Sequence, residues 1–243
     1  MSSYYSHIQI LFKYVLRDYL EHKDYLSILS ARKVEEFDIA NLLGIDIRYD
    51  LDHSLSIASE CGYEEVVKYL VENGANIHES VIHDSVLIKA SGGGYLPIVQ
   101  YFVEKGADIH AKNDYAFRIA CENGHLPVVE YLVENGADIH SRDDSSIRIA
   151  SCYGALSIIK YLVEKGADMH VNDDQPLVNA IQWGHLPVVQ YLIEKGADIH
   201  ARSDTILSIA SECGYPKVVQ YLESIYKLEN ARRTALQYIE KRL

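Results

Sequence analysis

The sequence predicts an all-α chain of stacked helix–turn–helix units, and three observations carry that prediction. First, 12 of the 14 glycines fall into two interleaved series. One is Gly62, Gly94, Gly124, Gly154, Gly184 and Gly214; the other is Gly44, Gly74, Gly106, Gly136, Gly166 and Gly196. Successive members are 30 residues apart, except for one step of 32 in each series. A fixed period in this range is the mark of a solenoid, so the 243 residues are not to be divided into ordinary domains. Second, the apolar residues between the glycines keep helical spacing. Third, the chain is 48% hydrophobic and 24% charged, and no apolar run reaches the length of a membrane span.

Residues 1–48 come first and read as an N-terminal helical cap with a degenerate repeat. Ile8, Leu11, Phe12, Val15, Leu16 and Tyr19 have helical spacing, and Lys13, Arg17 and Asp18 interrupt any signal-peptide or membrane reading. Gly44 to Arg48 (Gly-Ile-Asp-Ile-Arg) has the form in which the later repeats end.

Residues 49–225 hold six recognisable units, of which Asp114 to His140 is the clearest. Asp114 is placed as an N-cap, where a carboxylate can accept the unpaired amides of a first turn. Phe117, Ile119 and Ala120 form a short apolar stripe that Gly124 ends. Pro127 opens the second helix, where its missing N–H is no loss. Val128, Val129, Leu132 and Val133 follow, and Gly136 is suited to the left-handed conformation that stops a helix. Asp52, Asp84, Asp144, Asp174 and Asp204 repeat the capping position. Tyr69, Tyr101, Tyr131, Tyr161, Tyr191 and Tyr221 recur on the second helices, and are expected to pack between helices with the hydroxyl near solvent. An insertion at Ser80–His83 accounts for the long step and places Val81 and Ile82 at the rim. Residues 226–243 read as a polar capping helix. With caps expected at both ends, the array reads as complete.

Charge follows the same division. The net charge is -12 overall; the body between the caps holds 12 basic and 26 acidic groups. Such a body disfavours nucleic acid and anionic lipid, and favours a protein partner with a basic or polar surface.

The strings Gly124-His-Leu-Pro-Val-Val and Gly136-Ala-Asp-Ile-His resemble the ankyrin repeat, and the likeness covers roughly residues 38–225. The units are thirty residues long where thirty-three are usual, the shortfall lying between the terminal His and the capping Asp. Tyr115-Ala-Phe-Arg stands where the family has Thr-Pro-Leu-His. Both departures predict shortened hairpin fingers, a turn in place of two paired strands. Short units of this kind are also similar to the arrays encoded by giant DNA viruses of amoebae.

Candidate chemistry is sparse. His78, His110, His140, His170 and His200 recur in register, yet layers roughly 8–10 Å apart cannot share a zinc ion whose ligands sit at about 2 Å. Each is expected to hydrogen-bond around its own turn. Cys61, Cys121, Cys152 and Cys213 form no Cys-x-x-Cys pair and read as free thiols in a reducing compartment. Gly92-Gly93-Gly94 lacks the Lys-Ser/Thr of a phosphate loop. Asp143/Asp144 and Asp173/Asp174 lie in turns, one of each pair serving as a cap. No catalytic constellation, cofactor site or metal site is expected.

Function in a repeat array sits where the units differ. The pair before each loop glycine varies from Gly92/Gly93 through Glu122/Asn123 and Cys152/Tyr153 to Gln182/Trp183. The resemblance implies that these first-helix positions touch partners. The expected contact residues are Trp183, Tyr153, Gln182, Glu122 and Asn123, with Tyr115 and Arg118 beside a second variable row in the turns. Trp183 is the one tryptophan, and exposed Trp and Tyr are enriched in binding hot spots. The family likeness implies a monomeric, non-catalytic scaffold that holds a protein on its concave face, in the cytoplasm (a host's, if viral). The alternative is an adaptor recruiting a target to host ubiquitin-ligase machinery.

Overall fold

In the computed structural model, residues 51–78, 86–201 and 205–240 are described. The expected N-terminal cap, Asp84, Asp204 and the Val81/Ile82 insertion lie outside them. The described residues form twelve helices and no strand. They belong to two compact units: one holds the described chain up to Ala120 together with Pro127–Ala137, the other Cys121–Leu126 with Asp138 onward.

The first unit contains α1 (Leu51–Cys61), α2 (Glu64–Glu72), α3 (Val86–Gly92), α4 (Leu96–Glu104), nearly all of α5 (Ala111–Glu122) and α6 (Leu126–Glu134). Within it α1 packs on α3, and α2 on α4. The second unit contains α7 (Ser141–Tyr153), α8 (Leu156–Glu164), α9 (Val171–Gln182), α10 (Leu186–Glu194), α11 (Ile206–Cys213) and α12 (Pro216–Glu240). There α9 packs between α7 and α11, and α10 lies against α8 and α12. First helices stack on first helices and second on second, as the repeat grammar requires. Helix α12 runs 25 residues without a break, so the closing segment from residue 226 continues the last repeat's own second helix.

Second helices before the last each bury three apolar positions of their stripe, among them Val66, Val67 and Leu70; Ile98, Val99 and Phe102; Ile158, Ile159 and Leu162; Val188, Val189 and Leu192; the last, α12, buries Val218 and Leu222. First helices contribute Ala58, Ala90, Ala120, Ala150, Ala180 and Ala210, all fully buried. Small side chains there let neighbouring first helices approach closely. Second helices α4, α6 and α10 start at the leucine before the proline, one residue earlier than the sequence suggested, while α12 starts at Pro216 itself. They end where the amides of Ala107, Ala137, Ala167 and Ala197 each bond the carbonyl five residues back at 2.9 Å. That is the Schellman closure that a left-handed glycine permits.

Loop glycines do a different job. The ring of Tyr215 packs against Gly184, so that a Cβ there would lie 2.4 Å from it; His185 meets Gly154 and Tyr95 meets Gly62 in the same way. Gly184 is also left-handed, at φ 74°. Gly136 shares the positive φ but faces open space. Gly184→Ala is therefore expected to cost about 2 kcal/mol, from strain plus displacement of the ring, against about 1 kcal/mol for Gly136→Ala. Urea unfolding of the two variants checks the difference; equal shifts would show that the ring contact adds nothing.

The shortened finger is a turn, as expected, and its backbone is unusual. Lys112–Asp114, Arg142–Asp144 and Asn172–Asp174 are each three consecutive left-handed residues, with φ between 50° and 60°. Left-handed backbone costs a non-glycine residue roughly 1–2 kcal/mol, less for Asn and Asp. With three residues missing, the chain reverses through this region in place of a β-hairpin. The aspartates expected as N-caps, Asp114, Asp144 and Asp174, lie inside the left-handed run. Their carboxylates also link repeats. Oδ1 of Asp144 accepts the amide of Asp168 at 3.0 Å, and that of Asp174 accepts Asp198 at 3.2 Å.

Candidate functional site

Each first helix of the second unit ends on a pair of residues just before its loop glycine, and the second member of each pair is exposed. Tyr153 is the last residue of α7, and Trp183 follows the last residue of α9. Both are wide open, at 59% and 60% of full exposure. Neither ring belongs to the core, which these two first helices build from Ile147, Ala150, Leu177, Ala180 and Ile181. Gln182 is exposed, Glu122 half-buried and Asn123 exposed. The Tyr153 hydroxyl donates to Glu122 Oε1 at 2.9 Å, across one repeat step. That bond, with the carboxylate's charge, holds the Tyr153 hydroxyl above the ordinary phenol range. The geometry thus brings Glu122 and Tyr153 together and sets Trp183 one repeat farther along.

The remaining expected contacts lie in the first unit. Tyr115 is half-buried. It shares a cleft of about 430 Å³ with Glu60, Lys89, Gly92, Gly93 and Ile119. Lys89 Nζ spans that cleft to Glu60 Oε2 at 2.9 Å. Arg118, expected on the binding row, is buried instead. Its Nε donates to the carbonyl of Asn113 at 3.1 Å and its Nη2 to that of Lys112 at 3.2 Å, while the guanidinium lies 4.8 Å from the Tyr115 ring centre. Arg118 is committed to bracing the left-handed turn. Its short distance in sequence to a polar turn suggested a rim position; the turn's tight path brings the carbonyls back over it. The bareness of Gly93 also has a structural cause, since a Cβ there would lie 2.2 Å from the Tyr95 ring. Part of the variation read as partner-facing therefore comes from packing.

The histidine ladder behaves as expected. Nδ1 of His110, His140 and His170 lies 2.9 Å from Oδ1 of Asp114, Asp144 and Asp174 respectively. Backbone amides of the same histidines bond the aspartate two residues earlier. His200 instead reaches Glu229 on α12 at 3.0 Å. Among the described residues, no three His, Cys, Asp or Glu side chains could hold one metal ion.

Two of the recurring tyrosines, Tyr101 and Tyr161, depart from expectation. Burial pushes the hydroxyls of Tyr101, Tyr131, Tyr191 and Tyr221 up, and Glu72, Glu104, Glu164 and Glu194 of the preceding repeats add to the shift. The Tyr101 hydroxyl is itself buried. That of Tyr161 is buried too, so in these two repeats the hydroxyl lies inside rather than near solvent. Cys121 is buried, and desolvation raises its thiol far above the ordinary range, which keeps it protonated and unreactive. All four thiols are free.

A family model described as "Ankyrin repeats (3 copies)" matches residues 55–143 and 146–238. The chain has no match among curated proteins. No helix among the described residues is long and apolar enough to cross a membrane.

Proposed function

The chain belongs to the ankyrin-repeat family, whose repeats generally serve as protein–protein interaction modules, and from that premise we propose that it is a non-catalytic scaffold holding a protein on the first-helix row of its second unit. The observation that carries this reading is the pair of exposed rings, Tyr153 and Trp183, on a surface otherwise made of turns and polar helix ends. A tryptophan left 60% exposed has no packing role to justify it, and the apolar area it would lose on binding is large. Glu122 at the tip of Tyr153 gives the row an acidic edge, which favours a basic or polar partner over nucleic acid or a membrane. The protein acts in this reading as a cytoplasmic monomer, in an infected host cell if the likeness to giant-virus arrays reflects its origin.

Affinity capture comparing the wild type with Trp183→Ala/Tyr153→Ala tests the site. The double variant is expected to lose its partner by about tenfold or more, roughly 1.4 kcal/mol, with its stability changed by less than about 0.5 kcal/mol. Undiminished capture of every partner would place the site elsewhere.

A second reading, recruitment of a target to host ubiquitin-ligase machinery, needs a separate docking element. Helix α12 offers one, because Leu228, Leu236, Tyr238 and Ile239 are all more than half exposed on it. Truncation after residue 225 that abolishes ligase association while sparing the target would support this version.

A further inference from the structure

The row in the second unit has two columns. One carries Glu122, Cys152, Gln182 and Glu212; the other carries Asn123, Tyr153, Trp183 and Cys213. Two carboxylates therefore bracket two exposed rings, and none of the eight side chains is cationic. Elsewhere in this unit, lysines of the protein itself lie over two half-buried tyrosine rings. Lys165 lies 5.4 Å from the centre of Tyr161, and Lys160 and Lys195 lie 5.6 Å and 5.7 Å from Tyr191. Among the described residues no cation lies over Tyr153 or Trp183. The Trp183 side chain makes no hydrogen bond in the described structure, and that of Tyr153 bonds only Glu122. An aromatic face beside a carboxylate is a site for a cation, and guanidinium suits it better than ammonium. It is planar, weakly hydrated, stacks on indole and can grip a carboxylate with two parallel bonds.

Spacing narrows the partner further. Stacked helices stand about 8–10 Å apart, which sets the interval between the helix ends that carry Tyr153 and Trp183. A polyproline II segment advances about 3.1 Å per residue and returns to the same face every third residue, a repeat of about 9.3 Å. A β-strand presents one face every second residue, about 6.7 Å, which misses the interval.

We infer that the row receives an extended basic segment of the partner in polyproline II form, with arginines at positions i and i+3. One guanidinium stacks on Tyr153 beside Glu122, the other on Trp183 toward Glu212. The inference rests on the proposed partner-binding role of this row.

Trp183 is the protein's one tryptophan, so its emission reports on occupancy directly. The probe is a synthetic peptide containing Arg-Pro-Pro-Arg in a proline-rich frame, titrated into the full chain. Two controls accompany it: the same peptide with both arginines replaced by neutral citrulline, and one with the arginines two residues apart. The expected result is saturable quenching by the i,i+3 peptide, with both controls at least about tenfold weaker and added salt weakening the binding. Glu122→Gln/Glu212→Gln, which keeps Trp183 as the reporter, is expected to weaken that peptide about tenfold. Equal binding of the citrulline peptide, or no saturation by the arginine peptide, overturns the inference. If either occurs while partner capture still depends on Trp183 and Tyr153, the binding row stands and only its arginine specificity falls. If capture is indifferent to both rings, the row itself is wrong and the inference falls with it.

Discussion

Asp144→Ala is expected to destabilise the protein by about 3 kcal/mol, a large effect for a residue in a surface turn. The side chain is buried. Its Oδ1 accepts both the His140 ring and the Asp168 amide of the next repeat. Removing it strands a part-buried amide, which costs about 1–3 kcal/mol. It also leaves alanine at φ 50°, where Asp is better tolerated. The adjacent Asp143 serves as a control, because it is exposed and equally left-handed, at φ 54°. Asp143→Gly relieves the backbone without touching the tether, so it is expected to be neutral or to stabilise by up to about 1 kcal/mol. Urea midpoints separate the two outcomes, and a lowered slope for Asp144→Ala would show that repeats had begun to unfold separately. Equal loss in both variants would mean that the turn's conformation matters and the tether does not.

Arg118→Ala is expected to cost about 3 kcal/mol. The change releases two backbone carbonyls of a strained turn and removes a buried aliphatic stem that packs below them. Arg118→Lys should recover little, since one ammonium cannot bond both carbonyls and stack on Tyr115 as the planar fork does. The readout is thermal and urea stability of the full chain. Full rescue by lysine would reduce the role of Arg118 to simple charge.

The hairpins were legible in the sequence because their signals are local. A glycine that ends a helix, a proline that starts one and a stripe of Val, Leu and Ile act within a few residues of themselves. Repetition at one period then made each signal confirm the others. The histidine bonds were legible for the same reason, since donor and acceptor lie within four residues. The candidate site was legible only as a difference between repeats. Trp183 and Tyr153 stood out because the scaffold around them scarcely varies, and both are exposed. Gly93 and Arg118 looked equally variable and turned out to serve packing.

Those two cases mark the division. By itself the sequence determined the all-α hairpin, its thirty-residue period, the order of buried stripes and the blunting of the finger. All of these depend on backbone preferences and on the covalent length of the turn. Only the tertiary structure decided that the turn runs left-handed over three residues, that Arg118 braces it, and that aspartates tether the next repeat. It also decided which aromatic rings cover a neighbouring glycine and which stay open. Each of those outcomes depends on atoms brought close by stacking or by a reversal of the chain, and residue spacing carries no record of that proximity.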